Sequence, residues 1–156
     1  MRRRRAEKRE ITPDPKYNSV LVSRFINMVM QKGKKSVAES IVYGSLDLIA
    51  KKTGNKNSLE VFQKAIDNAR PLLEVRPRRI GGATYQVPLE VERNRGNFMA
   101  MMWIRDFARS KKGKPMKEKL TNGLFEAYNK TGSAVKKRDD THKMAEANKA
   151  FSHYRW

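Results

Sequence analysis

The chain has 156 residues, the length of one ordinary domain, and its 35 Lys and Arg against 16 Asp and Glu give a formal net charge of +19. Repulsion of this size destabilises a compact monomer, so it predicts a polyanionic partner, with nucleic acid as the first choice. The sequence has no cysteine and no apolar run near the roughly 18–20 residues of a membrane helix, which excludes disulfides, thiolate metal sites and membrane spans and predicts a cytoplasmic protein.

Residues 1–17 are predicted to form a basic N-terminal arm of a single domain, residues 1–156. The arm shows no apolar pattern, which is typical of a segment that stays disordered until it meets its partner. A tail that only improves solubility is the alternative. Its candidate contacts with nucleic acid are Arg2, Arg3, Arg4, Arg5, Lys8 and Arg9.

Apolar residues then recur at spacings of three and four in three successive segments, which predicts three amphipathic helices. The first begins near Ser19. The second is capped by Ser36 and closes near Gly54. The third begins at Asn57, which can form a capping pair with Glu60.

Residues 74–91 interrupt the helical period and predict a β-hairpin arm. Apolar and polar residues alternate in this segment, and Gly81 with Gly82 can supply the positive φ angles of a two-residue turn. Pro77 and Pro88 lack a backbone donor, which favours a free ribbon with two edges over a strand inside a larger sheet.

This turn sets a register in which Arg78 lies opposite Tyr85 and Arg76 opposite Val87, all on one face. Guanidinium groups beside an aromatic ring suit unstacked bases and irregular RNA. A flap that covers the core and carries incidental arginines is the alternative.

Three more helices are predicted after the hairpin. The fourth, ending at Arg109, is so broadly apolar, through Phe98 and the residues that follow it, that we expect it in the centre of the core. The fifth starts at Pro115. The sixth, residues 133–150, is polar, and residues 151–156 form a tail. The predicted fold is mainly α, a six-helix, bundle-like body with a protruding two-stranded hairpin between helices three and four.

The sequence offers no catalytic or metal-binding pattern. The two histidines, His142 and His153, are too far apart to share a metal along a helix. Asp139 and Asp140 follow a KKR run and are interpreted as local salt-bridge partners. We therefore predict a protein that is not an enzyme and has no cofactor, metal or small-molecule substrate.

Basic residues concentrate at the junctions between predicted elements. Loops and helix ends bring Lys and Arg to phosphates without disturbing a core, so these junctions are the candidate RNA contacts. Besides the arm, they hold Lys34 and Lys35, then Arg76, Arg78 and Arg79, then Lys111, Lys112 and Lys114, and finally Lys136, Lys137 and Arg138.

Three long segments resemble one protein family. They are KYNSVLVSRFINMVMQKGKKSVAESIVYGS, VRPRRIGGATYQVPLEV and GSAVKKRDDTHKMAEANKAFSHYRW, and the similarity runs nearly end to end. The chain resembles bacterial small-subunit ribosomal protein seven. The resemblance implies six helices with a ribbon between the third and fourth, and a primary binder of small-subunit (16S-type) ribosomal RNA that nucleates assembly of the subunit's head.

The resemblance also implies where the partners lie. It supports the contacts above and adds Arg95, Arg109 and Lys117 to the ribosomal RNA side. The site for exit-site transfer RNA, near the decoding region and possibly messenger RNA, would include Arg79, Gly81, Gly82, Ala83, Tyr85, Lys143 and Arg155. Small-subunit proteins nine and eleven are the implied protein neighbours.

The chain departs from the family pattern at Met102 and Ser110, where basic residues are usual. These departures affect the expected contacts of the fourth helix. Two other functions remain open from the residues: an architectural double-stranded DNA-binding protein that uses its β-ribbon, and an RNA-processing enzyme.

Overall fold

A computed structural model describes residues 9–54 and 57–154. It confirms the predicted fold: six α-helices with an antiparallel hairpin between the third and the fourth, followed by a C-terminal 3₁₀ helix. The elements are α1 (Val20–Val29), α2 (Lys35–Thr53), α3 (Ser58–Ala69), β1 (Leu73–Ile80), β2 (Ala83–Glu90), α4 (Arg93–Ser110), α5 (Met116–Tyr128), α6 (Gly132–Ala147) and the 3₁₀ helix (Lys149–Tyr154). Among the described residues, no helix combines the length and apolarity needed to span a membrane.

Some helix ends follow local sequence signals. Gly54 ends α2 in the left-handed conformation, with φ of 67°, and the Asn57 side chain accepts a hydrogen bond from the Glu60 N–H at 3.3 Å. The predicted cap at Ser36 is wrong. A tight turn through Lys32 and Gly33, both with positive φ, precedes α2, which begins at Lys35. Ser36 therefore already lies in the first helical turn.

The core forms where the apolar stripes of all six helices meet. Phe25 of α1 and Phe62 of α3 are fully buried, and their ring centroids are 5.3 Å apart. Helix α5 packs against α2, α3, α4 and α6, burying Leu120 and Leu124. Among the described residues, the core cluster is thus made of helix residues and includes none from the hairpin.

Helix α4 is less buried than its composition predicts. Ala100, Met101 and Ile104 are buried on one stripe, but Phe98 is 51% exposed. The expectation that Phe98 joins the core is wrong because, at about 100° per residue, Phe98 lies about 60° beyond Met101 and so outside the arc of α4 that the buried residues occupy.

The hairpin has the predicted turn and register. Gly81 and Gly82 have φ of 55° and 90°, and Arg78 pairs with Tyr85 and Arg76 with Val87. The sheet contains these two strands alone among the described residues, as the prolines indicated.

The ribbon is not free along its length, because α6 and the 3₁₀ helix pack against it. Val87 is fully buried, and the Tyr85 ring lies 5.2 Å from the ring of Phe151 and 5.3 Å from that of Tyr154. We call these three rings the aromatic cluster. The predicted tail is thus, through residue 154, a helix that supports the hairpin.

The predicted arm is anchored well before residue 17. Asp14 is buried and accepts hydrogen bonds from the N–H groups of Lys16 and Tyr17, at 3.1 and 3.0 Å, and from the Tyr43 hydroxyl at 2.5 Å. Burial, together with this bond to Asp14, raises the pKa of Tyr43. Within the described residues, exposed chain that could act as an arm is limited to residues 9–13.

Candidate nucleic-acid interface

Most of the candidate RNA-binding side chains lie on the surface. Arg78 and Arg138 are half-buried, while residues 2–5, Lys8 and Arg155 lie outside the described residues. Turns and helix ends supply most of the exposed set, which leaves phosphates able to approach without disturbing the core. The exposed residues are Arg9, Lys34, Lys35, Arg76, Arg79, Arg95, Arg109, Lys111, Lys112, Lys114, Lys117, Lys136, Lys137 and Lys143.

One cleft brings together basic residues from two distant parts of the chain. Its volume is about 440 Å³, and Lys32 and Lys34 line it with Arg109. The Nη2 of Arg109 donates to the Val29 carbonyl at 3.1 Å, which fixes the end of α4 against the end of α1. The described lining includes these three cations, no carboxylate and several apolar side chains, among them Ile41 and Met116, so the cleft combines positive charge with an apolar wall. Lys32 was missed by sequence reasoning although it is next to the GKK run.

A second basic group forms at the base of the hairpin around a buried carboxylate. Glu74 is 6% exposed and forms ion pairs with Arg76 at 2.6 Å and with Arg95 at 2.8 Å. Burial alone would raise the pKa of Glu74, but the hydrogen bonds from Arg95 and Arg76 outweigh it and lower the pKa. Sequence reasoning did not find this group because Arg95 comes from a different element.

Besides Arg76, Arg95 and Arg109, further candidate residues have partners within the chain. Lys35 lies 3.9 Å from Glu39, and two others are more closely engaged. Arg138 donates to the Asn68 carbonyl and pairs with Asp139 at 2.5 Å, which joins α6 to α3. Lys111 pairs with Glu126 at 3.0 Å. The interpretation of Asp139 as a salt-bridge partner is confirmed, and a phosphate would have to compete for these two cations.

The hairpin tip, residues 79–84, presents exposed backbone and one cation. Arg79, Gly81, Gly82 and Ala83 are all exposed, so a ligand can approach the main chain closely. Tyr85 is half-buried in the aromatic cluster. Stacking of an RNA base on Tyr85 remains a prediction. The Tyr85 ring already contacts Phe151 and Tyr154, so a base would approach a ring that is packed within the chain.

A further cleft was missed by sequence reasoning because Phe98 was assigned to the core. Its volume is about 530 Å³, and Phe98, Arg24, Arg105, Asn27 and Asn94 line it with Ile11, Met28 and Met101. The helical spacing could have revealed it, because Phe98 lies off the buried stripe.

His142 is hydrogen-bonded within the chain, whereas His153 is exposed. His142 Nε2 accepts the Leu72 N–H at 2.9 Å, so the neutral ring ties α6 to the segment before β1. Burial and the nearby charge of Arg138 lower its pKa. His153 is exposed on the 3₁₀ helix.

The two departures from the family pattern have local roles. Met102 packs against the core as a half-buried side chain. The Ser110 hydroxyl donates to the Phe107 carbonyl at 2.9 Å at the end of α4. The charges expected at these two positions are therefore replaced by packing and by a backbone hydrogen bond.

A helical body, a β-ribbon and basic junctions between elements define a basic helical protein of the class that binds nucleic acid. The family model described as Ribosomal protein S7p/S5e matches residues 1–149, and the chain belongs to this family. Small ribosomal subunit protein uS7 of Fervidobacterium nodosum is 62% identical over 156 residues, 100% of both chains. The protein of that name from Thermotoga maritima is 60% identical over 156 residues, also 100% of both. That from Dictyoglomus turgidum is 61% identical over 148 residues, 95% of this chain and 94% of its own.

Family membership makes the chain a structural protein of the bacterial ribosome in the cytoplasm. The family is not enzymatic, which confirms the predicted class and excludes the RNA-processing enzyme.

Proposed function

We propose that the protein is a primary binder of small-subunit ribosomal RNA and nucleates assembly of the subunit's head. The observation that carries the proposal is the cleft where Lys32, Lys34 and Arg109 meet without a carboxylate. Cations from the α1–α2 turn and from the end of α4 can there hold phosphates from two RNA segments. Binding free energy would then fix the relative position of the RNA segments.

The hairpin tip is proposed to face exit-site transfer RNA, close to the path of messenger RNA. Its exposed glycines permit close approach of a backbone, and Arg79 adds a cation. The neighbours proposed from the family resemblance are small-subunit proteins nine and eleven.

Competition between RNA and DNA tests the main proposal. We expect filter binding to show much tighter binding to folded small-subunit ribosomal RNA than to duplex DNA at about 0.2 M salt, because irregular RNA fits a fixed arrangement of cations and a uniform duplex does not. Equal affinity for the two would indicate the architectural DNA-binding alternative.

A shortened hairpin tests the placement of the tip. Replacing residues 79–84 with Asn-Gly keeps Arg78 opposite Tyr85 and closes the strands with a favoured two-residue turn. We expect the variant to lose no more ribosomal RNA affinity than Arg79→Ala does, but to lose protection of exit-site transfer RNA in reconstituted subunits. Arg79→Ala, which keeps the full tip, is the control for loss of charge alone. Unchanged protection in the shortened variant would refute this placement.

A further inference from the structure

The ion pairs around Glu74 are held by more hydrogen bonds than a single surface ion pair. Alternation along β1 puts Glu74 and Arg76 on the same face of the hairpin, and the first turn of α4 brings Arg95 to the same carboxylate. A buried charge is costly unless it is paired and hydrogen-bonded. Here one carboxylate is satisfied by two guanidinium groups, and the group keeps a net positive charge.

The hydrogen bonds fix the orientation of both guanidinium groups. Arg95 uses Nε and Nη2 as a fork on the carboxylate, with distances of 2.8 to 3.0 Å. Arg76 places its Nε and Nη2 on Oε1, each at 2.6 Å. Both arginine side chains are 48% exposed, whereas the carboxylate side chain is 7% exposed, so their remaining donors are available to solvent.

We propose that Glu74 is a positioning residue that holds Arg76 and Arg95 as a two-arginine site for one phosphate group of an RNA backbone. This rests on the proposed binding of ribosomal RNA. Guanidinium groups match phosphate oxygens in geometry and charge. Because Glu74 fixes their rotamers before RNA arrives, less side-chain freedom is lost on binding. The site also joins β1 to α4, so a phosphate bound there would contact both elements at once.

The direction in which one substitution changes RNA affinity separates positioning by Glu74 from simple neutralisation. Glu74→Gln has nearly the same shape and removes one negative charge from a strongly basic protein. If Glu74 only neutralised the arginines, the variant would bind RNA more tightly. Positioning predicts the reverse: affinity for purified small-subunit ribosomal RNA falls on the order of tenfold, because two long side chains must now be ordered on binding. The log–log salt slope should change little, because the same phosphate is still contacted and only the cost of ordering the two arginines rises.

Glu146→Gln is the matched control, since it removes the same charge from an exposed position on α6 and should leave RNA affinity unchanged or slightly tighter. In the Arg76→Ala/Arg95→Ala background, Glu74→Gln should cause no further loss. Circular dichroism and thermal unfolding of each variant establish that it is folded. Should Glu74→Gln fail to fold, Arg95→Lys keeps the charge but loses the fork, and we expect weaker RNA binding from it.

The outcomes distinguish this inference from the proposed function. If the unmodified protein fails to prefer ribosomal RNA, the proposed function fails and the inference with it. If the unmodified protein binds ribosomal RNA and folded Glu74→Gln binds as well or better, positioning by Glu74 is refuted and the proposed function stands. For an unfolded Glu74→Gln, undiminished binding by Arg95→Lys has the same meaning.

Discussion

Replacing Phe62 with alanine should lower the free energy of unfolding by about 3–5 kcal/mol. The side chain is fully buried, and its ring contacts that of Phe25 across the junction of α3 and α1. Truncation removes buried apolar area and leaves a cavity that a close-packed bundle refills only in part. Since domains are stable by about 5–15 kcal/mol, the loss is a large fraction of the total. Urea denaturation followed by circular dichroism would measure it.

Phe98 provides the matched control for that experiment. It is the same residue type in the neighbouring bundle helix α4, but half of its surface is exposed. We expect Phe98→Ala to lower the free energy of unfolding by only about 1 kcal/mol, because half of the side chain is already exposed. Similar losses at the two positions would contradict the assignment of Phe62 to the core and Phe98 to the surface.

Removing three lysines from the candidate interface should weaken RNA binding strongly. Lys34, Lys112 and Lys114 are exposed and lie in or next to the turns that carry the basic groups. If each neutralises one phosphate, the triple alanine variant loses about 2–3 units of the log–log salt slope for ribosomal RNA. Its affinity at about 0.15 M salt should fall on the order of 100-fold, because fewer counterions are released on binding. Filter binding over a salt series measures both quantities.

A triple variant at Lys51, Lys130 and Lys149 removes the same charge from exposed positions outside the candidate interface. It should retain most of the affinity and most of the salt slope. If the two triple variants lose affinity equally, net charge alone explains binding, and the proposed location of the interface is wrong.

The parts of the fold that sequence predicted are those set by local signals. The turn at Gly81 and Gly82 and the alternation around it fix the register of the hairpin, since a two-residue turn leaves no choice of pairing. The Asn57 cap likewise depends on a hydrogen bond across three residues. Ser36 failed as a cap because the preceding turn, and not the residue type, decides where α2 begins.

The parts that sequence did not predict depend on contacts between separate elements. Glu74 contacts Arg95 only when the hairpin and α4 are packed together. Tyr85 contacts Phe151 only when the C-terminal 3₁₀ helix packs against the hairpin. The periodicity of residues within one segment does not predict a contact between side chains of separate elements. Charge, in contrast, identified the basic junctions directly, although it could not show which cations, such as Arg138, are already held by the chain's own carbonyl and carboxylate groups.

Because of the aromatic cluster, the support of the hairpin depends on the order in which the chain is synthesised. A ribosome producing this chain makes the two strands long before Phe151 and Tyr154, so the nascent hairpin lacks the rings that brace it. A two-stranded hairpin alone is marginal in water, whereas the bundle can pack as each helix emerges. The hairpin therefore gains its aromatic support only after the C-terminal 3₁₀ helix has been synthesised. A copy that stops before Phe151 would carry the two strands without that support.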